Sequence, residues 1–264
     1  MANPEDLGRY RLKRLLGRGA LGEVWVANDL EEEGAKVVVK IMHAADEELA
    51  LARAAFAREG RLASLMRHPN VAAVHDAGEA AGTSFLVMEM VEGASLRTIL
   101  REPAARPLAE RLRWLRQIGE GLAAMHRAGV AHRDLKPENV IVRADGTACL
   151  VDLGIAKWMK FDLGGELDLD GLDGDFEEPA QRKPAPSYDY APPETVETEL
   201  YDELGDQFAF GVVAYELLTG KRPSNDAPPL ASVDEVPANV ARAFDRARAT
   251  DRDARWDAIE LLVE

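Results

Sequence analysis

The 264-residue chain is 47% hydrophobic and 30% charged, with a formal net charge of −15. That length allows one large domain or two small ones sharing a core, and the apolar share excludes a disordered chain. The acidity excludes nucleic acid as the main partner, since phosphate backbones need basic surfaces, and leaves basic protein segments or plain solubility.

A single cysteine, Cys149, rules out an internal disulfide and fits a reducing compartment. In the run ACLV it reads as packing. The stretch MANPEDLGRYRLKR lacks an apolar signal core and no 18-residue apolar run occurs, so a soluble, cytoplasmic chain is expected, any membrane anchor lying outside it.

In chain order, YRLKRLL, GEVWVAND, AKVVVKIM, NVAAVHDA and TSFLVMEM are short β-rich runs. Between the third and fourth, residues 44–66 are Ala- and Glu-rich and predict a helix. Leu108, Leu112, Leu115, Ile118, Leu122 and Met125 recur at steps of three and four, an amphipathic helix. QFAFGVVAYELLT, residues 207–219, is apolar nearly all round and ends at Gly220, which predicts a buried helix.

Three signals carry chemistry. Gly17, Gly19 and Gly22 in LGRGALGEVWV are spaced G-x-G-x-x-G, and glycines let backbone amides approach phosphate oxygens closely. Strands are expected on both flanks, whereas a dinucleotide motif would open a helix. Lys40, in the strand VVVKIM, is either an edge lysine reaching solvent or a phosphate ligand fixed by a carboxylate, for which Glu59 is the candidate. The third signal is HRDLKPENVIV. Here Asp134 can accept a proton from an attacking hydroxyl, and Lys136 can neutralise a transferring phosphoryl group. Asn139 and, thirteen residues on, Asp152 can offer oxygens to a metal such as Mg²⁺.

These motifs, in this order from about Gly8 to Leu262, resemble the eukaryotic-like (Hanks-type) serine/threonine protein kinases, in particular their bacterial branch. The resemblance implies an α+β bilobal fold over residues 8–264. The N-lobe and hinge would be 8–91, a small antiparallel sheet with one main helix; the mainly helical C-lobe would be 92–264, with an activation segment at 152–194. It implies ATP as co-substrate and Mg²⁺, with Mn²⁺ an alternative. Catalytic roles fall on Asp134, Lys136, Lys40 and Glu59, and metal ligation on Asn139 and Asp152. Nucleotide contacts fall on Leu16, Gly17, Gly19, Gly22, Val24, Val38, Lys40, Ile141, the gatekeeper Met88, and the backbone of Glu89 and Val91. Glu194 of YAPPE would pair with Arg255, and Asp206 would cap the buried helix and hold the catalytic loop. Val74, Ala63, Leu153 and His132 would stack as a column on Asp206.

The chain departs from the family pattern at Leu21, Val38, Leu153, PPE for APE, and the short stretch 223–238, which puts substrate docking most in doubt. An interaction-only pseudokinase is disfavoured by the intact Lys40, Asp134, Asn139 and Asp152. A small-molecule kinase is disfavoured by Lys136 and the Glu194–Arg255 pair. Lys136 and Ser187 favour Ser/Thr over Tyr as acceptor.

The expected partners are protein substrates with basic flanking residues, homodimerisation being left open. Between Asp162 and Asp206 fifteen Asp and Glu face only Arg182 and Lys183, a strip that should draw basic peptides. Glu138 is a further candidate contact for a basic residue before the acceptor. Within that strip FDLGGELDLDGLDGDFEEP, residues 161–179, has eight carboxylates and no hydroxyl. Its carboxylates are expected either to replace an activating phosphate opposite Arg133 or to be a solvated insert.

Overall fold

The computed structural model describes residues 6–19, 22–32, 34–42, 64–80, 83–102, 106–152, 189–198, 201–224 and 226–259. The acidic block, Leu21, Ala63, Leu153, Ser187, Glu59 and all but the end of the helix expected at 44–66 lie outside these residues.

Six strands form one antiparallel sheet: β1 (Asp6–Leu7), β2 (Tyr10–Gly19), β3 (Gly22–Asp29), β4 (Lys36–Met42), β5 (Val74–Ala80) and β6 (Thr83–Glu89), in the order β1-β2-β3-β4-β6-β5. The β-branched run KVVVKIM alternates as a strand requires. Val37, Val39 and Ile41 are buried in a cluster with Tyr10, Phe85 and Val87, while Val38 and Lys40 face the other side, half-buried. Register then sets what shares that side. Gly17 pairs with Val24, Val24 with Lys40, and Val38 with both Val26 and Met88.

The remainder is mainly helical. Ala94–Ser95 (β7), Val140–Val142 (β8) and Ala148–Leu150 (β9) make a small three-stranded sheet beside α1 (Leu96–Leu100) and α2 (Leu108–Arg127). The chain continues, among the described residues, through α3 (Pro193–Thr198), α4 (Glu203–Thr219) and α5 (Ala238–Ala247). The apolar face of α2 buries Trp114, Leu115, Ile118, Leu122 and Met125, as its spacing predicts. Helix α4 is buried on all sides, thirteen of its residues from Gly205 to Leu218 being inaccessible. At about 1.5–3 kcal/mol for each large apolar side chain buried, it anchors this half of the molecule. Gly220 ends it in the left-handed conformation, φ 73°, which costs glycine little.

The start of α4 corrects one expectation. The cap is Asp202, whose carboxylate accepts the Leu204 and Gly205 N–H groups; Asp206 lies one turn inside. Burial pushes the Asp202 carboxyl up, but its pair with Arg252 and those two N–H groups outweigh burial and hold it below the usual carboxylate range.

The large sheet and the helical part share one core, in which Met42, Val71, Val74, Leu86 and Met88 pack with α2 and α4. Asn70–Ala72 stitch the two together: the Leu150 N–H donates to Asn70 O and the Ala72 N–H to Leu150 O, each at 2.8 Å. Among the described residues no helix is long and apolar enough to cross a membrane.

Candidate active site

Gly19, at the end of β2, and Gly22, at the start of β3, pair directly across the antiparallel strands. Gly22 has φ 153°, and a Cβ there would stand 2.0 Å from the Ile41 carbonyl oxygen, so Gly22 lies against β4 because it has no side chain. Leu16 falls in the irregularity of β2 between Leu15 and Gly17 and is 44% exposed. Two strands away, Lys40 reaches Asp152, 112 residues later, with Nζ 2.7 Å from Oδ1. Asp152 sits just beyond β9 at φ 57°, a conformation that is uncommon for a residue other than glycine.

Residues 131–136 have no regular secondary structure, so long-range bonds must fix them. Asp206 provides these. Its carboxylate accepts the His132 N–H at 2.6 Å and the Arg133 N–H at 2.8 Å, and lies 2.9 Å from the His126 ring nitrogen. Arg133 is held at φ 63°, and its side chain also donates to the Tyr201 carbonyl at 3.3 Å. His132 is buried, and burial lowers its pKa, so it is neutral at pH 7. Its Nδ1 accepts the Asp134 N–H at 3.3 Å, which steadies the next residue. Val74, of the same expected column, is buried as well.

Asp134 gathers its neighbours. Lys136 Nζ is 2.8 Å from its Oδ2, and the Asn139 amide donates to both its carbonyl, at 2.8 Å, and its Oδ2, at 3.0 Å. With both amide hydrogens engaged, the side-chain oxygen, Asn139 Oδ1, accepts no bond among the described residues, while the backbone oxygen accepts the Val151 N–H at 2.9 Å. A hard oxygen on Asn139 and a second carboxylate oxygen on Asp152 fit a small divalent cation shared with phosphate.

Among the residues expected to meet adenine, Met88 is buried, and Val24 and Val38 are half-buried on the face that carries Lys40. Glu89 donates its N–H to Ala73 O at 2.8 Å, and its side chain pairs with Arg143 at 2.8 Å. Val91 follows β6, and Ile141 is half-buried in mid-β8, opposite Cys149. Farther off, Arg255, fully buried, makes the expected two-pronged pair with Glu194 at 2.6 and 2.8 Å.

The geometry departs from expectation at Glu138. Its carboxylate is paired at 2.7 Å with Arg97, which also binds Glu216 at 2.6 Å and the Tyr190 hydroxyl. Tyr190 in turn donates to Glu216 at 2.5 Å, and burial raises the pKa of its phenol, so it stays protonated. This network escaped the sequence reading, although Glu216 was a signal. A lone carboxylate within YELL of a helix buried all round must have a partner.

A glycine pair, a strand lysine, and an acid–lysine–amide loop joined across two lobes are the arrangement of a protein-kinase-type domain. Comparison with known proteins agrees. Residues 10–261 match the protein kinase domain family. The chain is 34% identical over 256 residues to serine/threonine-protein kinase pkn2 of Myxococcus xanthus, across 95% of this chain and 29% of that protein. It is 34% identical over 224 residues to PknA of Mycobacterium tuberculosis, across 82% of this chain and 48% of PknA. The crystal structure of the M. tuberculosis PknI kinase domain matches with a TM-score of 0.72 at 26% identity, over 100% of this chain and 96% of that one. The chain belongs to the protein kinase domain family, with the bacterial Hanks-type serine/threonine kinases; it spans 29–48% of the length of the two curated relatives.

Proposed function

We propose that this chain transfers the γ-phosphate of ATP to serine and threonine hydroxyls of proteins in bacterial signalling, and that residues 8–264 are its kinase domain, with the lobe and activation-segment boundaries given above. The observation that carries the proposal is the convergence of Lys136 and Asn139 on one Asp134 carboxylate, on a loop held by Asp206. Asp134 takes the proton of the substrate hydroxyl as its oxygen attacks the γ-phosphorus and the bond to ADP breaks. Lys136, already beside Asp134, neutralises charge on the phosphoryl group in transit. Lys40, with Glu59 as its second partner, fixes the α- and β-phosphates; Gly17, Gly19 and Gly22 cover them with backbone. Leu16, Val24, Val38, Met88 and Ile141 enclose the adenine, and the backbone of Glu89 and Val91 meets its edge. Mg²⁺ or Mn²⁺, held by Asn139 and Asp152, would screen the phosphate charge when bound.

The acidic strip between Asp162 and Asp206 draws protein substrates with basic flanking residues by long-range attraction, in the cytoplasm; a homodimer is not needed for it. Asp134→Asn tests the catalytic assignment. With folding and ATP binding intact, γ-phosphate transfer should fall about 10²–10⁴-fold. A wild-type rate in the purified variant would refute it.

A further inference from the structure

Beside the catalytic loop lies a cleft of about 550 Å³, walled by Arg97, Arg101, Lys136, Glu138, Glu216 and Arg222 among others. Its three carboxylates, including Asp189, are already engaged. Arg97 binds Glu138 and Glu216, and Arg222 binds Asp189. Four cations line the same walls. Of these, Lys136 holds Asp134, whereas the exposed Arg101 side chain donates no hydrogen bond among the described residues.

We propose, on the reading of this chain as a protein kinase, that Arg97 fills the two-carboxylate site of Glu138 and Glu216 from within, so that this cleft admits an acidic substrate side chain through Arg101 and turns away lysine and arginine. Arg97 is a specificity-determining residue in this account. Its Nε and both terminal nitrogens are used, on two carboxylates and a phenol, and its side chain is only 19% exposed. A guanidinium so bound satisfies both acids at once. A substrate cation would have to expel it and leave that buried charge unpaired, which strongly disfavours the exchange. A substrate carboxylate meets no such competitor, because the exposed Arg101 lines the same cleft as Lys136, which binds the base Asp134. This selection differs in range from the attraction of the acidic strip. The strip acts on association and weakens with salt; the cleft acts on one side chain at one position.

The test is a positional peptide library with a fixed serine acceptor, phosphorylated at low and high salt by the wild-type chain, Arg97→Ala and Arg101→Glu. The wild type should favour Asp or Glu over Arg at one flanking position by about tenfold, a preference that persists in salt. Arg101→Glu, an exposed change that leaves the Arg97 network intact, should erase it. Arg97→Ala, if folded by circular dichroism, should reverse it towards Arg and Lys at that position. Should Arg97→Ala fail to fold, Arg101→Glu decides alone. A wild-type preference for Arg at the cleft position, or an acid preference untouched by Arg101→Glu, overturns the proposal. Phosphorylation with a flat profile overturns it while leaving the kinase reading standing. Transfer to no peptide and no generic protein acceptor overturns both.

Discussion

The large sheet and the catalytic loop position charged groups by opposite means. In the sheet, Lys40 is placed by a continuous ladder, with Val24 on one side and Leu86 on the other, and its neighbours Val39 and Ile41 lock the strand face. The backbone bonds that place it are spread over the sheet, and only the end of its side chain, at Asp152, leaves it. The catalytic loop has no ladder. Its first residues depend above all on one carboxylate, Asp206, binding groups 73 to 80 residues away. The sheet should therefore yield gradually to single changes, and the loop should fail at one.

Asp206→Ala is the sharpest way to break this comparison. It strands the His132 and Arg133 N–H groups, and each buried unsatisfied donor costs about 1–3 kcal/mol. A loss of about 2–5 kcal/mol in urea unfolding is expected, with phosphoryl transfer abolished even where the variant is still folded. Transfer near the wild-type rate would show that the loop holds itself. A smaller effect is expected in the sheet from Gly22→Ala. The added Cβ meets the Ile41 carbonyl at an unfavourable φ, a strain of about 1–3 kcal/mol. Its main trace should be a raised KM for ATP with a lesser change in kcat, and an unchanged KM would contradict the placement of this turn over the phosphates.

The smallest effect is a pH slope. Burial depresses the His132 pKa, so below the ordinary histidine value of about 6.5 the unfolded chain binds a proton that the folded chain refuses. The stability linked to His132 is fully present above that pH and falls below it, by at most about 1.4 kcal/mol per unit. Unfolding measured at pH 7.5 and 5.5 should show a shallower slope in His132→Asn than in the wild type. Equal slopes would place the His132 ring in contact with solvent.

How much was legible followed the same division. Four of the five strand runs and the two long helices could be read because alternation and the three-to-four spacing are local consequences of which face is buried, whereas the run at 70–77 becomes strand only from Val74. The site residues were legible where a motif keeps them close in sequence, as in HRDLKPEN, and where family resemblance links distant ones, as for Glu194 and Arg255. The Arg97 network was not, because its partners at 138, 190 and 216 share no spacing and come together only when α1, the catalytic loop and α4 pack. The capping role given to Asp206 belongs to Asp202: both acids lie near the start of α4, and only the backbone shows which one precedes the first turn.

The central claim is that the loop built around Asp134 moves phosphate from ATP to protein hydroxyls. The most direct measurement incubates the purified chain with γ-labelled ATP, Mg²⁺ and a mixture of generic protein acceptors, then identifies the labelled amino acids after hydrolysis. The account predicts label on phosphoserine and phosphothreonine, lost in Asp134→Asn. Label confined to phosphotyrosine, or no protein label from a folded chain that binds ATP, would contradict it.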